Sequence, residues 1–184
     1  MTTTANALGL TPGVWNIDPV HSAVTFSVRH MMVSKVRGSF KQFSGQITVG
    51  EAIEDSKVTA SIVASSVDTG NEQRDGHLRS ADFFNTESAE TFEFVSKSVS
   101  AKGDDWVVAG DLTVNGVTKP VDLAVEFTGV GPDGQGGQKA GFEATTTLDR
   151  KDYGIEFNMP LEGGGVVIGD KITVTLDVEA DLAK

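Results

Sequence analysis

The chain contains no cysteine. That removes disulfides, thiolate nucleophiles and thiolate metal sites at once. It leaves the redox compartment open, because a cysteine-free chain folds in either. Cations are scarce too: 15 Lys+Arg against 26 Asp+Glu give a net charge of -11. Such a balance repels phosphate backbones and anionic lipid headgroups, so it argues against nucleic-acid and peripheral-membrane roles, and no stable membrane insertion is expected. The acidic residues are spread along the chain, with no acidic tail to suggest a charged partner.

Long apolar runs are missing as well. No segment approaches the ~20 apolar residues of a spanning helix. Met1 to Pro12 has neither a basic stretch nor an apolar one, so it does not read as a secretion signal. It reads as a flexible segment (residues 1–12) ahead of a single domain (residues 13–184). With Met1 as the native start, a cytoplasmic location is expected; a trimmed leader would make it periplasmic or secreted. Catalytic signatures are equally absent. There is no GxSxG elbow and no paired-carboxylate motif, and neither Gly-rich stretch has the strand and helix flanks of a nucleotide loop. No catalytic residue is assigned.

What is present is alternation. Val24, Phe26 and Val28 share one parity, with Thr25, Ser27 and Arg29 on the other, which is the pattern of a half-buried strand. The same period recurs at Phe43, Gly45, Ile47 and Val49, and at Val58, Ala60, Ile62 and Ala64. Phe92 and Phe94 give a shorter version. Trp106, Val108, Gly110, Leu112 and Val114 lead into Asn115-Gly116, a strong type I′ hairpin signal. Val121 to Phe127, Phe142 to Leu148 and Ile172 to Ala180 complete about eight strands. Helix is scarce. Thr69-Gly70-Asn71-Glu72 fits a capping box for a short helix running to about Ser80, with Phe83 and Phe84 tucked beneath. Gly129 to Gly141 reads as a long, mobile hairpin loop, and Gly163-Gly164-Gly165 as a bend or bulge.

The expected class is all-β: an extended antiparallel barrel of about eight strands, with one or two short helices covering an end. Such a barrel either fills with side chains or holds one small ligand. Periodicity leaves both outcomes open.

Several segments in order suggest a relation. They are Asp18-Pro19-Val20-His21-Ser22, Phe26-x-Val28-x-His30, Gly38-x-Phe40 and Phe43-x-Gly45. Next come Thr69-Gly70-Asn71, Arg74-Asp75 and His77-Leu78-Arg79-Ser80-x-Asp82-Phe83-Phe84. Leu112-Thr113-x-Asn115-Gly116-Val117-Thr118-Lys119-Pro120-Val121 and Arg150-x-Asp152-Tyr153-Gly154-Ile155 close the series. From about Gly13 to Asp181 the chain resembles the YceI-like family of lipid-binding proteins. The resemblance implies a lipocalin-like barrel with a long apolar tunnel. It also implies a polyisoprenoid, quinone tail or fatty amide as ligand, and no established catalytic activity. Many members carry a secretion signal, and none is seen here.

With that resemblance, Phe26, Val28, Leu112, Val125 and Phe127 are the expected lining, joined by Phe40, Leu78 and Phe83. His30 shares the apolar parity at a strand end; it is either a hydrogen-bonding group near the ligand or a core histidine satisfied by a carbonyl. Arg74 either meets a ligand headgroup or pins the helix, and Asn71 either caps the helix or reaches the ligand. Arg150, Asp152 and Tyr153 read as structural. The three histidines show no ligand spacing, so no metal is assigned. The expected partner is a bound isoprenoid or other long-chain lipid, carried, stored or sequestered, with no other cofactor. An exposed edge strand leaves a homodimer open. Two further readings remain: a barrel enzyme or isomerase using His30 as base, and a filled barrel serving protein interaction.

Overall fold

The structure, a computed structural model, describes residues 2–184. Among the described residues, eleven strands form one antiparallel sheet. They are β1 (Gly13–Ile17), β2 (Ala23–His30), β3 (Ser34–Phe40), β4 (Phe43–Val49), β5 (Lys57–Val63), β6 (Val67–Asp68), β7 (Thr91–Lys102), β8 (Asp105–Val114), β9 (Val117–Pro132), β10 (Gln138–Asp149) and β11 (Ile168–Leu182). The α-helix of the described residues, α1 (Glu72–Arg79), lies between β6 and β7.

Eight strands make a closed ring, because β1 pairs with both β4 and β11. Closure satisfies the backbone groups that a free edge would leave unpaired. Strand β11 is long enough to take two partners in succession. Ile168 to Asp177 runs beside β2, and Ala180 to Leu182 runs beside β1. From β2 the sheet branches into β3 and the short β6. The all-β, antiparallel barrel expected from the alternation is therefore the observed fold, with one short α-helix.

Sequence explains most strand boundaries. Asn115 and Gly116 adopt φ of 53° and 75°, and Val114 pairs with Val117 across them. This is the tight hairpin that the Asn-Gly pair favours. Pro120 sits inside β9 without breaking it. The β9–β10 ladder reaches back only to Ala124, so Pro120 has β8 alone beside it and its missing N–H costs no ladder bond on the other side.

Three readings need correcting. The stretch Gly129 to Gly141 is not a long loop. Strands β9 and β10 continue to Pro132 and Gln138, and Gly141 pairs with Gly129. Only Asp133 to Gly137 turn, held by Asp133 Oδ1, which accepts from the N–H groups of Gln135 (2.7 Å) and Gly137 (2.8 Å). Nor does Thr69 cap α1. Gly70 turns the chain at φ 80°, and Asn71 takes the cap, its Oδ1 accepting from Arg74 N–H at 2.9 Å. Finally, the N-terminal segment is part of the packing. Thr4 bridges to Ala52, Ala5 N–H donates to Glu51 O at 2.9 Å, and Ala5 and Leu10 are buried.

Candidate functional site

The barrel encloses a cavity of about 330 Å³ whose walls are almost wholly apolar. A water's share of liquid volume is about 30 Å³, and a buried water needs two to four polar partners. These walls offer almost none. The interior is neither packed solid nor suited to water, which is the condition under which a hydrocarbon is the preferred occupant.

The lining runs from one end of the barrel to the other. At the first end, Leu10, Ile53, Val99 and Trp106 contribute. Ala5, Leu10 and Ile53 are all buried there, so the N-terminal segment closes this end as a plug. At the second end, Phe40 stacks against Phe26 (5.5 Å between centroids), Phe84 (5.8 Å) and Phe92 (5.4 Å). Phe83 and Ile155 are buried beside them. His77 on α1 packs edge-on to both Phe83 (5.0 Å) and Phe157 (4.9 Å), while its Nε2 meets Asp82 Oδ2 at 2.9 Å. This fastens the helix to the loop that follows β10.

Phe26, Val28, Phe40, Leu78, Phe83, Leu112, Val125 and Phe127 all lie on the cavity wall. His30, Asn71 and Arg74 are not among the lining residues. His30 ends β2, opposite Ser34 and Ile168. Asn71 is occupied as a cap. Arg74 turns back on Thr69, donating to its Oγ1 at 2.7 Å and its carbonyl at 2.8 Å. Arg79 likewise donates to Ser65 O at 2.9 Å and Val67 O at 3.3 Å. Asp75 is buried and accepts from Thr69 N–H and Oγ1 at 2.9 and 2.5 Å. The polar side chains on and around α1 thus anchor the helix.

Arg150 is buried and donates to the carbonyls of Gly169 (2.9 Å), Ile155 (2.9 Å) and Phe157 (2.8 Å). It ties together the segment between β10 and β11, and burial lowers its pKa. Tyr153 differs. Its ring is only 3% exposed and lines the cavity, and its carbonyl accepts from Asn115 Nδ2 at 3.2 Å. Its hydroxyl has no hydrogen-bond partner among the described residues. Burial, with Asp152 nearby, pushes its pKa up to about 12. Sequence parity does not reveal this group, because Tyr153 belongs to a 3-10 turn (Arg150–Tyr153) and not to a strand.

One cluster of ligand-type atoms stands outside the barrel. Asp18, His21 and Glu179 bring theirs within 4.8 Å of one another. Lys139 already fills that space, with Nζ 3.1 Å from Asp18, 2.7 Å from Asp181 and 3.6 Å from Glu179. His21 and Lys139 hold the Asp18 carboxyl well below the usual carboxylate range. Asp181 and Asp18 raise Lys139, and Asp18 raises His21. The arrangement is an ion-pair network joining the β1–β2 connection to β10 and β11.

The profile of the YceI-like domain matches residues 15–180. The chain belongs to the YceI-like family. A UPF0312 protein of Staphylococcus epidermidis is 43% identical over 168 residues, covering 90% of this chain and 95% of that protein. A UPF0312 protein of Staphylococcus aureus is 41% identical, covering 92% and 98%. Among solved structures, the Campylobacter jejuni YceI protein superposes with a TM-score of 0.70 at 28% identity, covering 85% of this chain and 90% of that one. The fold also matches a polyisoprenoid-binding domain from Saccharophagus degradans, with a TM-score of 0.71 at 16% identity, covering 92% and 98%. The YceI-like barrel is thus common to proteins that have diverged widely in sequence.

Proposed function

We propose that this chain binds one long-chain apolar lipid, of the polyisoprenoid, quinone-tail or fatty-amide class, inside the barrel, and carries, stores or sequesters it. The observation that supports this reading is the 330 Å³ apolar cavity running along the barrel. Each methylene moved from water into such a space contributes about 0.8 kcal/mol, so about 15 buried carbons give roughly 12 kcal/mol before ordering and association costs. The remainder supports sub-micromolar affinity.

Tyr153 adds a preference for the ligand's polar end. The Tyr153 side chain lines the cavity and its hydroxyl is free to donate, so a ligand carbonyl within reach would gain a hydrogen bond there. The reading therefore favours a chain ending in a quinone or amide over a plain alkane. Native mass spectrometry of the purified protein tests the proposal. The expected result is an adduct of lipid mass that organic extraction removes and that added prenyl or acyl chains restore. Protein that is empty as purified and takes up neither kind of chain would overturn it.

A further inference from the structure

The tip of the β2–β3 hairpin is apolar and stands in solvent. Met31, Met32 and Val33 are 44%, 63% and 82% exposed. Met31 and Met32 both adopt left-handed backbone, at φ 51° and 61°, a conformation that non-glycine residues rarely hold. The tip rests on the loop between β10 and β11. Met31 N–H donates to Val167 O at 2.7 Å, and Met32 Sδ lies where a side chain on Gly165 would begin. Met159 and Val166 of that loop are exposed too. Together these residues make one apolar patch of flexible methionine and valine side chains.

Charge around the patch runs against the rest of the protein. From Pro19 to Gly50 there is no Asp or Glu at all, in a chain of net charge -11. The same stretch carries Arg29, Lys35, Arg37 and Lys41. Arg29, Lys35 and Arg37 flank the tip on β2 and β3, are exposed, and make no ion pair among the described residues. The facing loop between β10 and β11 carries Asp152, Glu156 and Glu162, of which only Glu162 lies in the Met159 to Val166 part that meets the tip, and Asp170 beyond it pairs with Arg150 and Lys151. An apolar tip ringed by unpaired cations fits a surface that is anionic outside and hydrocarbon within. The cavity reaches this end. Val28 and Ile168 line it, and each is within three residues of the patch.

We infer that the β2–β3 tip and the β10–β11 loop form a docking face for an anionic lipid bilayer, entered shallowly and reversibly. Docking stands on the tip and its charges. Its role as the loading mouth rests on the lipid-binding reading above.

The test is flotation of the full chain with vesicles of mixed phosphatidylglycerol and phosphatidylcholine, and with vesicles of phosphatidylcholine alone. The wild type is expected to float with the anionic vesicles and to be released as salt rises. Met32→Asp with Val33→Asp should abolish flotation. Lys35→Gln with Arg37→Gln should weaken it roughly thirtyfold, since each cation near such a surface contributes about 1 kcal/mol. Every substituted residue here is exposed, and an unchanged melting temperature confirms the fold. Absence of flotation with either vesicle, or equal flotation of the Asp variant, overturns the inference. So does a wild-type dimer that the Asp variant dissociates, because a second copy would then own the patch. Vesicle binding without any uptake of prenyl or acyl chains would leave docking intact and defeat the cavity reading instead.

Discussion

The ring of Phe94 lies over Gly110 on the neighbouring strand. A Cβ built at Gly110 would come within 2.6 Å of Phe94 Cζ and 2.5 Å of the Val95 carbonyl oxygen. The ring can swing, but the carbonyl belongs to the β7–β8 ladder and cannot move cheaply. Gly110→Ala is therefore expected to destabilise the fold by about 1–3 kcal/mol through overpacking. A urea unfolding midpoint equal to that of the wild type would refute this.

Tyr153→Phe removes a cavity-wall hydroxyl that has no hydrogen-bond partner among the described residues. Affinity for a prenyl quinone or fatty amide should fall about fivefold, the equivalent of one hydrogen bond. Affinity for a hydrocarbon of equal length should stay constant. Equal losses for both ligands would assign Tyr153 to packing alone. Because it is the only tyrosine, ultraviolet titration reads its phenolate directly. Ionisation is expected near 12, because burial disfavours the phenolate. The unfolded chain ionises near 10, so stability falls as pH rises from about 10 towards the folded value.

The Asp18–His21 pair responds to pH in both directions. The folded-state pKa of His21 is raised by Asp18, so its contribution is present below about 6.5 and is lost as pH rises through the folded value. Asp18 is depressed, first by His21, so its contribution is present above the ordinary carboxylate pKa near 3.8 and is lost as pH falls. The network is strongest between those limits. In Asp18→Asn, the His21 ring resonances should titrate closer to 6.5 than in the wild type. An unmoved titration would mean that the pair does not form in solution.

Asp75→Ala strips Thr69 N–H and Oγ1 of their acceptor beneath α1. A cost of about 1–3 kcal/mol is expected, with faster amide exchange across Glu72 to Arg79 and quicker ligand loss past Leu78. Unchanged exchange in the helix would show that Arg79 and its carbonyl partners hold it alone.

Alternation made the long strands legible, because one face is apolar and the period is two. It did not show β1, where Trp15 is the only buried residue, or the two-residue β6. Nor could it follow parity through bulges. In β7, Phe92 and Phe94 point inward and so does Val99, because the register shifts between Ser96 and Ser98. Inward glycines do not add room: Gly38 lies against Phe26, Gly45 against Ile17 and Gly110 against Phe94. Real room remains beside Ala60 and Ala144, which line the cavity. The tyrosine hydroxyl and the plug residues Leu10 and Ile53 sit on turns, where side-chain direction depends on tertiary contacts that no local pattern encodes.

The buried residues Ala5, Leu10 and Ile53 obstruct one end of the barrel. Under the lipid-binding proposal, a chain would then enter tail first at the opposite end and leave by the same route in reverse, with its polar end last in and first out. A donor or acceptor would meet that end only. Sorting among cargoes with similar tails would happen at the threshold, and a tail too long for the bore would project outward instead of emerging at the far side.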